Sequence, residues 1–420
     1  MAGSVGPARR PTARCGDRGA GVEQDRQEGF ARVSDREFAA GWVPGRDVAD
    51  AGLASRSVPD DPIVALERAL LPALTTPPCV IGFSGGRDSS AILAVAVRLA
   101  RREGFEVPIP VTKVYPDVPA SDERSWQEMV IRWVGVDDWI REEFTDELDL
   151  LSPQSLTSVQ RHGLLWPASV HNREPAIRIA QGGWYVDGEG GDEILGEFRI
   201  TPVTKLFRGE RRFGRRAVRD VARTFAPAVL RRSVAAYRAR GTTSDRVWLQ
   251  PDVQAWYENT SREDEASLPL TYPRALQHTV SRRAVRVAMT NLDAMGRALD
   301  VRYLHPLLDP GFLAALSRVG GRLGFTSRTA TMRAVFGDLL PDAVNARDSK
   351  VYFNGPFFGR YSRDFVSRWD GTGLDPELVD AEALREVWQT PSVHAGTFQL
   401  LHAAWLASGT GSEPERAVEG

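Results

Sequence analysis

The sequence is poor in the residues that build metal centres and disulfide frameworks. Only two cysteines, Cys15 and Cys79, occur among 420 residues, which excludes a disulfide scaffold and a four-cysteine zinc site. The six histidines show no metal-ligand spacing, and we interpret them as ordinary surface or core residues. Such scarce cysteine is typical of a reducing compartment, so we expect a cytoplasmic protein.

Long apolar runs and a strong net charge are also missing. No apolar stretch approaches the roughly 20 residues that a membrane helix needs, and the N-terminal arginines precede no apolar run of the signal-peptide kind. The formal net charge is −2, so electrostatics give no reason to expect nucleic acid or a membrane as a partner. With 42% hydrophobic and 26% charged residues, the composition predicts a globular protein with a sizeable core.

Three regions differ in their patterning. Residues 1–58 are rich in Gly, Arg, Asp and Ala and show little periodicity, which predicts a disordered or vestigial extension. Asp61 followed by Pro62 is a good helix start, because a capping carboxylate precedes proline at the first helical position. We therefore predict one folded domain over residues 59–408, followed by a flexible tail over residues 409–420.

Within the folded domain, strand and helix patterns alternate at first. Short apolar runs at residues 79–83, 111–115 and 185–187 predict strands, and helical patterns cover residues 89–102 and 122–133. This alternation favours an α/β fold with a parallel sheet and helices on its faces. From about residue 200 the pattern is mostly helical, which predicts a helix-rich C-terminal half.

The first predicted strand ends in a glycine-rich loop, Ser-Gly-Gly-Arg-Asp-Ser-Ser, over residues 84–90. Gly85 and Gly86 let the backbone approach an anion closely, and the N-terminus of the following helix suits phosphate. A carboxylate such as Asp88 is repelled by a polyphosphate unless a cation lies between them, and Mg²⁺ prefers such oxygen ligands. The loop has neither the Lys-Ser/Thr of the other common phosphate loop nor the dinucleotide fingerprint.

A second glycine-rich turn, Asp-Gly-Glu-Gly-Gly-Asp-Glu over residues 187–193, follows the third predicted strand. Taken alone, this turn is equally consistent with an acidic surface loop. Together with the first loop it resembles the synthetase domain of the asparagine synthetase family, which carries Ser-Gly-Gly-x-Asp-Ser-Ser and Gly-Glu-Gly-x-Asp-Glu. Looser similarity at residues 292–309 and 339–350 extends the resemblance over residues 60–405. It implies an adenine nucleotide alpha hydrolase-like fold whose first loop is a pyrophosphate (PP) loop.

The resemblance also implies a reaction and its residues. A small-molecule or peptide carboxylate would attack ATP to give an acyl-adenylate and pyrophosphate, and ammonia or an amine would then form the amide. Asp88 and Asp192 are the implied Mg²⁺ ligands, Glu189 is the implied base, and Lys350 is the implied cation for developing negative charge. Arg347 is open to a phosphate-binding or a structural role. The implied nucleotide-binding residues are Ser84, Gly85, Gly86, Asp88, Ser89, Ser90, Gly188 and Arg347.

The sequence departs from the glutamine-dependent members of the family. Residue 2 is Ala2 rather than a nucleophilic cysteine, and no room for a glutaminase domain exists before residue 60. We therefore expect ammonia or the amine to come from solution, from a separate glutaminase, or from the substrate itself. Related enzymes that close a macrolactam or β-lactam ring remain an alternative, as does a non-catalytic nucleotide-binding module. A sulfur-transfer or tRNA-modifying enzyme is disfavoured by the scarcity of cysteine.

An arginine-rich segment lies between residues 208 and 240. It contains eleven arginines against two acidic residues, Glu210 and Asp220, with apolar residues interleaved. One interpretation is a pair of amphipathic helices with a solvated basic face. The other is a docking surface for an acidic peptide or a peptide-binding partner.

Overall fold

The computed structural model of the chain describes residues 29–47, 59–118, 122–239, 244–347 and 354–409. Its helices and strands follow in this order: α1 (Asp35–Ala40), α2 (Pro62–Leu74), β1 (Cys79–Gly82), α3 (Arg87–Glu103), β2 (Ile109–Val114), α4 (Arg124–Val134), β3 (Ile140–Glu143), α5 (Pro153–His162), α6 (Glu174–Ile177), β4 (Trp184–Val186), α7 (Gly191–Ile194), α8 (Thr201–Phe207), α9 (Arg215–Phe225), α10 (Ala228–Ala239), α11 (Pro251–Ser267), α12 (Tyr272–Val280), α13 (Arg283–Ala298), β5 (Arg302–Leu304), α14 (Pro310–Gly320), α15 (Arg328–Phe336), α16 (Asp342–Asn345), α17 (Asn354–Phe357), α18 (Arg360–Arg368), α19 (Ala381–Gln389) and α20 (Phe398–Ala407).

The strands form one sheet in the order β3-β2-β1-β4-β5, and every neighbouring pair is parallel. The α/β class with a parallel sheet is therefore confirmed. Three strands lie where the sequence predicts them, at β1, β2 and β4. The patterns did not predict β3 and β5, because β3 reads Ile-Arg-Glu-Glu and β5 is only three residues long.

Both faces of the central strand β1 are buried, as is usual in parallel sheets. Along β1, Ile81 packs into the apolar cluster formed with α2, α3 and α14, while Val80 packs into the cluster on the opposite face with Met295 of α13. Helix α2 begins as the sequence predicts, because the Asp61 side chain accepts a hydrogen bond of 2.7 Å from the backbone N–H of Ile63. Packing on both of its faces thus fixes the position of the carboxyl end of β1.

The C-terminal half is helix-rich, which confirms the second part of the predicted architecture. Its own apolar cluster is built around Trp248, Trp388 and Leu401, all at most 1% exposed. Among the described residues, no helix is both long enough and apolar enough to cross a membrane.

Residues 29–47, which we call the N-terminal strap, correct one expectation. The sequence predicts a disordered extension over residues 1–58, but Phe30 in the strap is 1% exposed and α1 begins with a capping box formed by Ser34 and Glu37. The low periodicity of the segment misled the prediction, because its burial depends on partners far away in the chain. Residues 1–28 and 48–58 lie outside the described residues, as do residues 410–420 of the predicted tail.

Buried hydrogen bonds hold the strap both to α13 beside the sheet and to the apolar cluster around Trp248. The Asn291 side chain of α13 accepts from the Ala31 N–H at 2.7 Å and donates to its carbonyl at 3.1 Å. In this apolar cluster, Trp248 donates to the Ala39 carbonyl at 3.0 Å. Buried polar groups are costly when unpaired, so these side chains depend on the strap.

Candidate active site

The two glycine-rich loops meet at the point where the strand order reverses. From β1 the chain proceeds outward to β2 and β3 on one side, while β4 and β5 lie on the other side. The loop after β1 (residues 83–86) and the loop after β4 (residues 187–190) therefore leave the same edge of the sheet next to each other. Such a switch point at the carboxyl ends of parallel strands is the usual ligand site of open α/β sheets.

Hydrogen bonds within the first loop fix its shape. The Ser84 N–H donates to the Ser89 hydroxyl at 3.2 Å, and the Gly86 N–H donates to the Ser84 hydroxyl at 3.2 Å. Gly85 has a φ of +82°, in the left-handed region, and a Cβ there would lie 2.8 Å from the Gln127 side chain. No side chain caps the N-terminus of α3, which begins directly after this loop. The loop is therefore a turn that presents backbone N–H groups at a helix N-terminus.

The second loop packs directly against the start of α3. A Cβ on Gly188 would lie 3.2 Å from the backbone nitrogen of Ser89, and a Cβ on Gly191 would lie 2.3 Å from the Asp88 carboxyl carbon. Glycine is required at residue 191 because any side chain there would displace Asp88. The two motifs, which are far apart in the sequence, are thus in direct contact in the fold.

Arg328 lies between the two carboxylates that the resemblance implies as metal ligands. Its guanidinium contacts Asp88 at 2.5 Å and also forms an ion pair with Asp192. Burial raises the pKa of the Asp88 carboxyl, and the neighbouring guanidinium only partly opposes this. The second carboxylate oxygen of Asp88, Oδ1, is buried without a hydrogen-bond partner. The guanidinium of Arg328 thus pairs with one oxygen of each of these acids and leaves Oδ1 of Asp88 available to a metal ion.

Arg347 lies beneath the first loop rather than across the cavity. Its guanidinium donates to the Gly85 carbonyl at 3.0 Å, forms an ion pair with Glu123, and lies 4.9 Å from the centre of the Trp126 ring. Arg347 and Glu123 are almost completely buried. These contacts favour the structural role that the sequence left open for Arg347, although its side chain also borders the cavity. Lys350 lies outside the described residues.

A second group of charged side chains lies around β4 and its loop. Glu189 forms an ion pair of 2.6 Å with Arg173, and Asp187 accepts a hydrogen bond of 2.8 Å from His305. Burial opposes the charge on Asp187, but His305 and Arg173 outweigh it and hold the pKa of that carboxyl below its usual range. His305 is therefore more than the ordinary core residue that the sequence predicted, because it supports the acidic loop directly.

Lys113, at the carboxyl end of β2, faces the same cavity. Burial lowers the pKa of its amine to about 8, and Arg173 adds to this, while Glu189 and Asp187 act in the opposite direction. An amine of this kind exchanges its proton near neutral pH more readily than an exposed lysine does. The cavity therefore has a titratable cation in addition to Arg328.

The loops enclose a cavity of about 440 Å³. Most of the predicted residues border it, whereas Gly85 and Ser90 do not, and the Ser90 hydroxyl is fully buried within α3. Sequence reasoning missed Lys113, Arg173 and Arg328, none of which belongs to a recognisable motif. The only local signal was that Arg328 directly follows the capping Ser327 at the start of a helix. The predicted residues on the cavity wall are Ser84, Gly86, Asp88, Ser89, Gly188, Glu189, Asp192 and Arg347.

Comparison with known proteins agrees with this arrangement. The family model described as asparagine synthase matches residues 66–407, which is most of the chain and includes both loops and the C-terminal helices. No curated protein matches the chain. The fold, the two loops and the extent of the family match lead to one conclusion: the chain belongs to the asparagine synthase family, whose members are ATP-dependent ligases.

Proposed function

We propose that this protein is an AMP-forming amide ligase that activates a carboxylate with ATP and transfers the acyl group to ammonia or an amine. The observation that supports this most directly is the contact between the two loops at the switch point. It joins an anion-binding turn to a group of carboxylates in a single cavity. Neither loop alone has both functions.

The triphosphate of ATP fits the first loop and its cationic neighbours. Backbone N–H groups at the start of α3 and the guanidinium of Arg328 provide positive charge for the β- and γ-phosphates. Mg²⁺ usually binds through one or two carboxylates together with phosphates and water, so Asp88 and Asp192 would suffice to hold it. The buried, unpartnered oxygen of Asp88 fits this role. When bound, Mg²⁺ would neutralise the charge that develops on the departing pyrophosphate.

In the first step, an oxygen of the substrate carboxylate attacks the α-phosphorus of ATP. The bond between the α-phosphorus and the bridging oxygen breaks, and pyrophosphate leaves with that oxygen. The product is an acyl-adenylate, in which the substrate carboxylate is joined to AMP and its carbonyl carbon is activated. Lys113 and Arg173 provide cations for a substrate carboxylate in the same cavity.

In the second step, the nitrogen of ammonia or an amine attacks the acyl carbon, and the bond from this carbon to the AMP oxygen breaks. The nitrogen must lose a proton, and the Glu189 carboxylate is our candidate to accept it. Its 2.6 Å ion pair with Arg173 holds the carboxylate at the cavity wall. Lys350 is our candidate for the cation that neutralises charge on the reacting acyl oxygen and phosphate.

The test is carboxylate-dependent exchange of labelled pyrophosphate into ATP by the full-length protein with Mg²⁺. Aspartate, glutamate and peptides that carry these side chains are supplied one at a time, and AMP is measured after ammonium or hydroxylamine is added. We expect exchange with one carboxylate class and AMP release with the nucleophile. Asp88→Asn should lower the exchange by about 100-fold, since it removes a charge that acts in the transition state.

Asp137→Asn is the matched control, because Asp137 is an exposed acid far from the loops in sequence and borders no part of the cavity. Release of ADP and phosphate instead of AMP and pyrophosphate would overturn the mechanism. Product formed only from a substrate that carries its own amine would assign the chain to the ring-closing alternative. Tight ATP binding with no exchange for any carboxylate would indicate a non-catalytic nucleotide-binding module.

A further inference from the structure

The arginine-rich segment also exposes an unusual amount of apolar surface. Eight of the fifteen large apolar side chains that are exposed in the described part of the chain lie between residues 207 and 237. Large apolar residues at such exposure are normal singly, but a cluster of them marks an interaction site. The eight are Phe207, Phe213, Val218, Phe225, Val229, Leu230, Val234 and Tyr237.

Helix α10 turns its apolar face away from the protein. Val229, Leu230 and Tyr237 are 75%, 54% and 72% exposed, and with Val234 they cover an arc of roughly 140° at 3.6 residues per turn. The helix is instead fastened to its surroundings by arginines. Arg231 donates to the Ala226 carbonyl at 3.1 Å, and other arginine contacts reach the neighbouring α11. This orientation is the reverse of an ordinary amphipathic surface helix.

The positive charge of the segment lies mainly on α9 and the turn before it. Over residues 207–237, nine arginines face two acidic residues. Asp220 is shared by Arg211 at 2.8 Å and by two further arginines, so its one charge is more than compensated. Arg212, Arg215 and Arg216 are exposed and have no ion-pair partner among the described residues.

We propose that α9 and α10 form a docking surface for an acidic peptide segment that combines an apolar helical face with a cluster of carboxylates. The apolar face of α10 would bind the apolar part, and Arg212, Arg215 and Arg216 would bind the carboxylates. Along the chain the two regions are separated by α9, which is about 16 Å long for eleven residues. We therefore give the test partner separate apolar and acidic parts, about three helical turns apart.

Charge and geometry favour this partner over a second copy and over a membrane. A two-fold contact would bring the same patch together twice and place the seven net positive charges against themselves. A membrane helix has basic residues at the edges of its apolar face, where they reach the headgroups. On α10, however, Arg231 and Arg232 are already engaged by backbone carbonyls and by Glu263.

The test uses a fluorescent synthetic helix of about 16 residues with leucines on one face of its first two turns and four glutamates in its last turn. Fluorescence anisotropy with the full-length protein should show saturable binding that weakens as salt increases. The triple variant Arg212→Glu, Arg215→Glu, Arg216→Glu should bind at least about tenfold more weakly and lose the salt dependence.

A second variant, Val229→Ser, Leu230→Ser, Tyr237→Ser, should also bind at least about tenfold more weakly but keep the salt dependence. These side chains are exposed, so the fold does not depend on them. Val319→Ser is the matched apolar control, and Arg132→Glu is the matched charge control, because both are exposed residues on other helices.

Four outcomes overturn the proposal. The first is no peptide binding up to about 1 mM, and the second is equal binding of a peptide with lysines in place of the glutamates. The third is tight binding to vesicles of phosphatidylglycerol and phosphatidylcholine without peptide binding, which would indicate a membrane surface. The fourth is concentration-dependent dimerisation that the serine variant abolishes, which would indicate a second copy of the chain.

Discussion

The buried ion pair beneath the first loop allows a sharp prediction. Glu123, at the N-terminus of α4, and Arg347, at the end of the described segment 244–347, are 224 positions apart, and their side chains are 5% and 4% exposed. Arg347 also holds the Gly85 carbonyl at 3.0 Å. We therefore consider three variants: Glu123→Gln, Arg347→Gln, and the two together.

The magnitude follows from the burial of the pair. Removal of one partner leaves the other charge buried and uncompensated, which costs about 3–5 kcal/mol of unfolding free energy. That is a large part of the 5–15 kcal/mol typical of a native protein. The double variant leaves two neutral amides that can hydrogen-bond with each other. We therefore expect its loss to resemble that of one single variant, about 3 kcal/mol less than the sum of the two.

Urea unfolding followed by tryptophan fluorescence measures these changes, and pyrophosphate exchange reports the state of the loop. The KM for ATP should rise for Arg347→Gln, because the contact with the Gly85 carbonyl is lost. Glu128→Gln on the same helix is the control, since its exposed pair with Arg132 at 4.0 Å is worth at most about 0.5 kcal/mol. A double variant whose loss equals the sum of the singles within about 0.5 kcal/mol would refute the reasoning.

Three further predictions concern the cavity. Gly191→Ala should lower pyrophosphate exchange by about 100-fold at unchanged circular dichroism, because its Cβ would displace the Asp88 carboxyl. The pKa of His305 is raised to about 10 because the Asp187 and Asp293 carboxylates outweigh the effect of its burial. Protonated His305 therefore stabilises the folded protein fully below about pH 6.5, and this stabilisation is lost as the pH rises through 10. The difference in the free energy of unfolding between the wild type and His305→Gln should therefore shrink over that range, and a constant difference would contradict this prediction. The pKa of Lys113 is lowered to about 8 by burial, so the cost of its buried charge is full below about pH 8 and is relieved as the pH rises to 10.5. The free energy of unfolding of the wild type in urea, taken relative to that of Lys113→Met, should therefore rise over that range.

Local patterns were sufficient for the fold class and for the two loops. The parallel sheet follows from alternating strand and helix patterns, and the carboxyl ends of parallel strands necessarily share one edge. The strand order agrees with the family resemblance, which assigns Asp88 and Asp192 to one site. The assignment of roles to Glu189 and Lys350 stays a prediction, and for Lys350 the described structure contains no information.

The remaining site residues depend on contacts that no local pattern encodes. Arg328 reaches Asp88 across 240 positions of the chain, and Lys113 enters the cavity only because β2 lies directly beside β1. The buried part of the N-terminal extension was missed for the same reason. Its short helix has little apolar periodicity, and its burial comes from partners such as Asn291, 260 positions away.

The N-terminal strap also limits how the molecule can move. It is hydrogen-bonded to Asn291 of α13 beside the sheet, and to Trp248 and Gln399 at the apolar cluster around Leu401, so it joins the sheet to that cluster. A hinge opening between these two parts would have to break these buried bonds, each of which leaves an unpaired polar group behind. We therefore expect substrates to enter this cavity through local movements of loops and side chains, with the sheet and that cluster remaining fixed relative to each other during turnover.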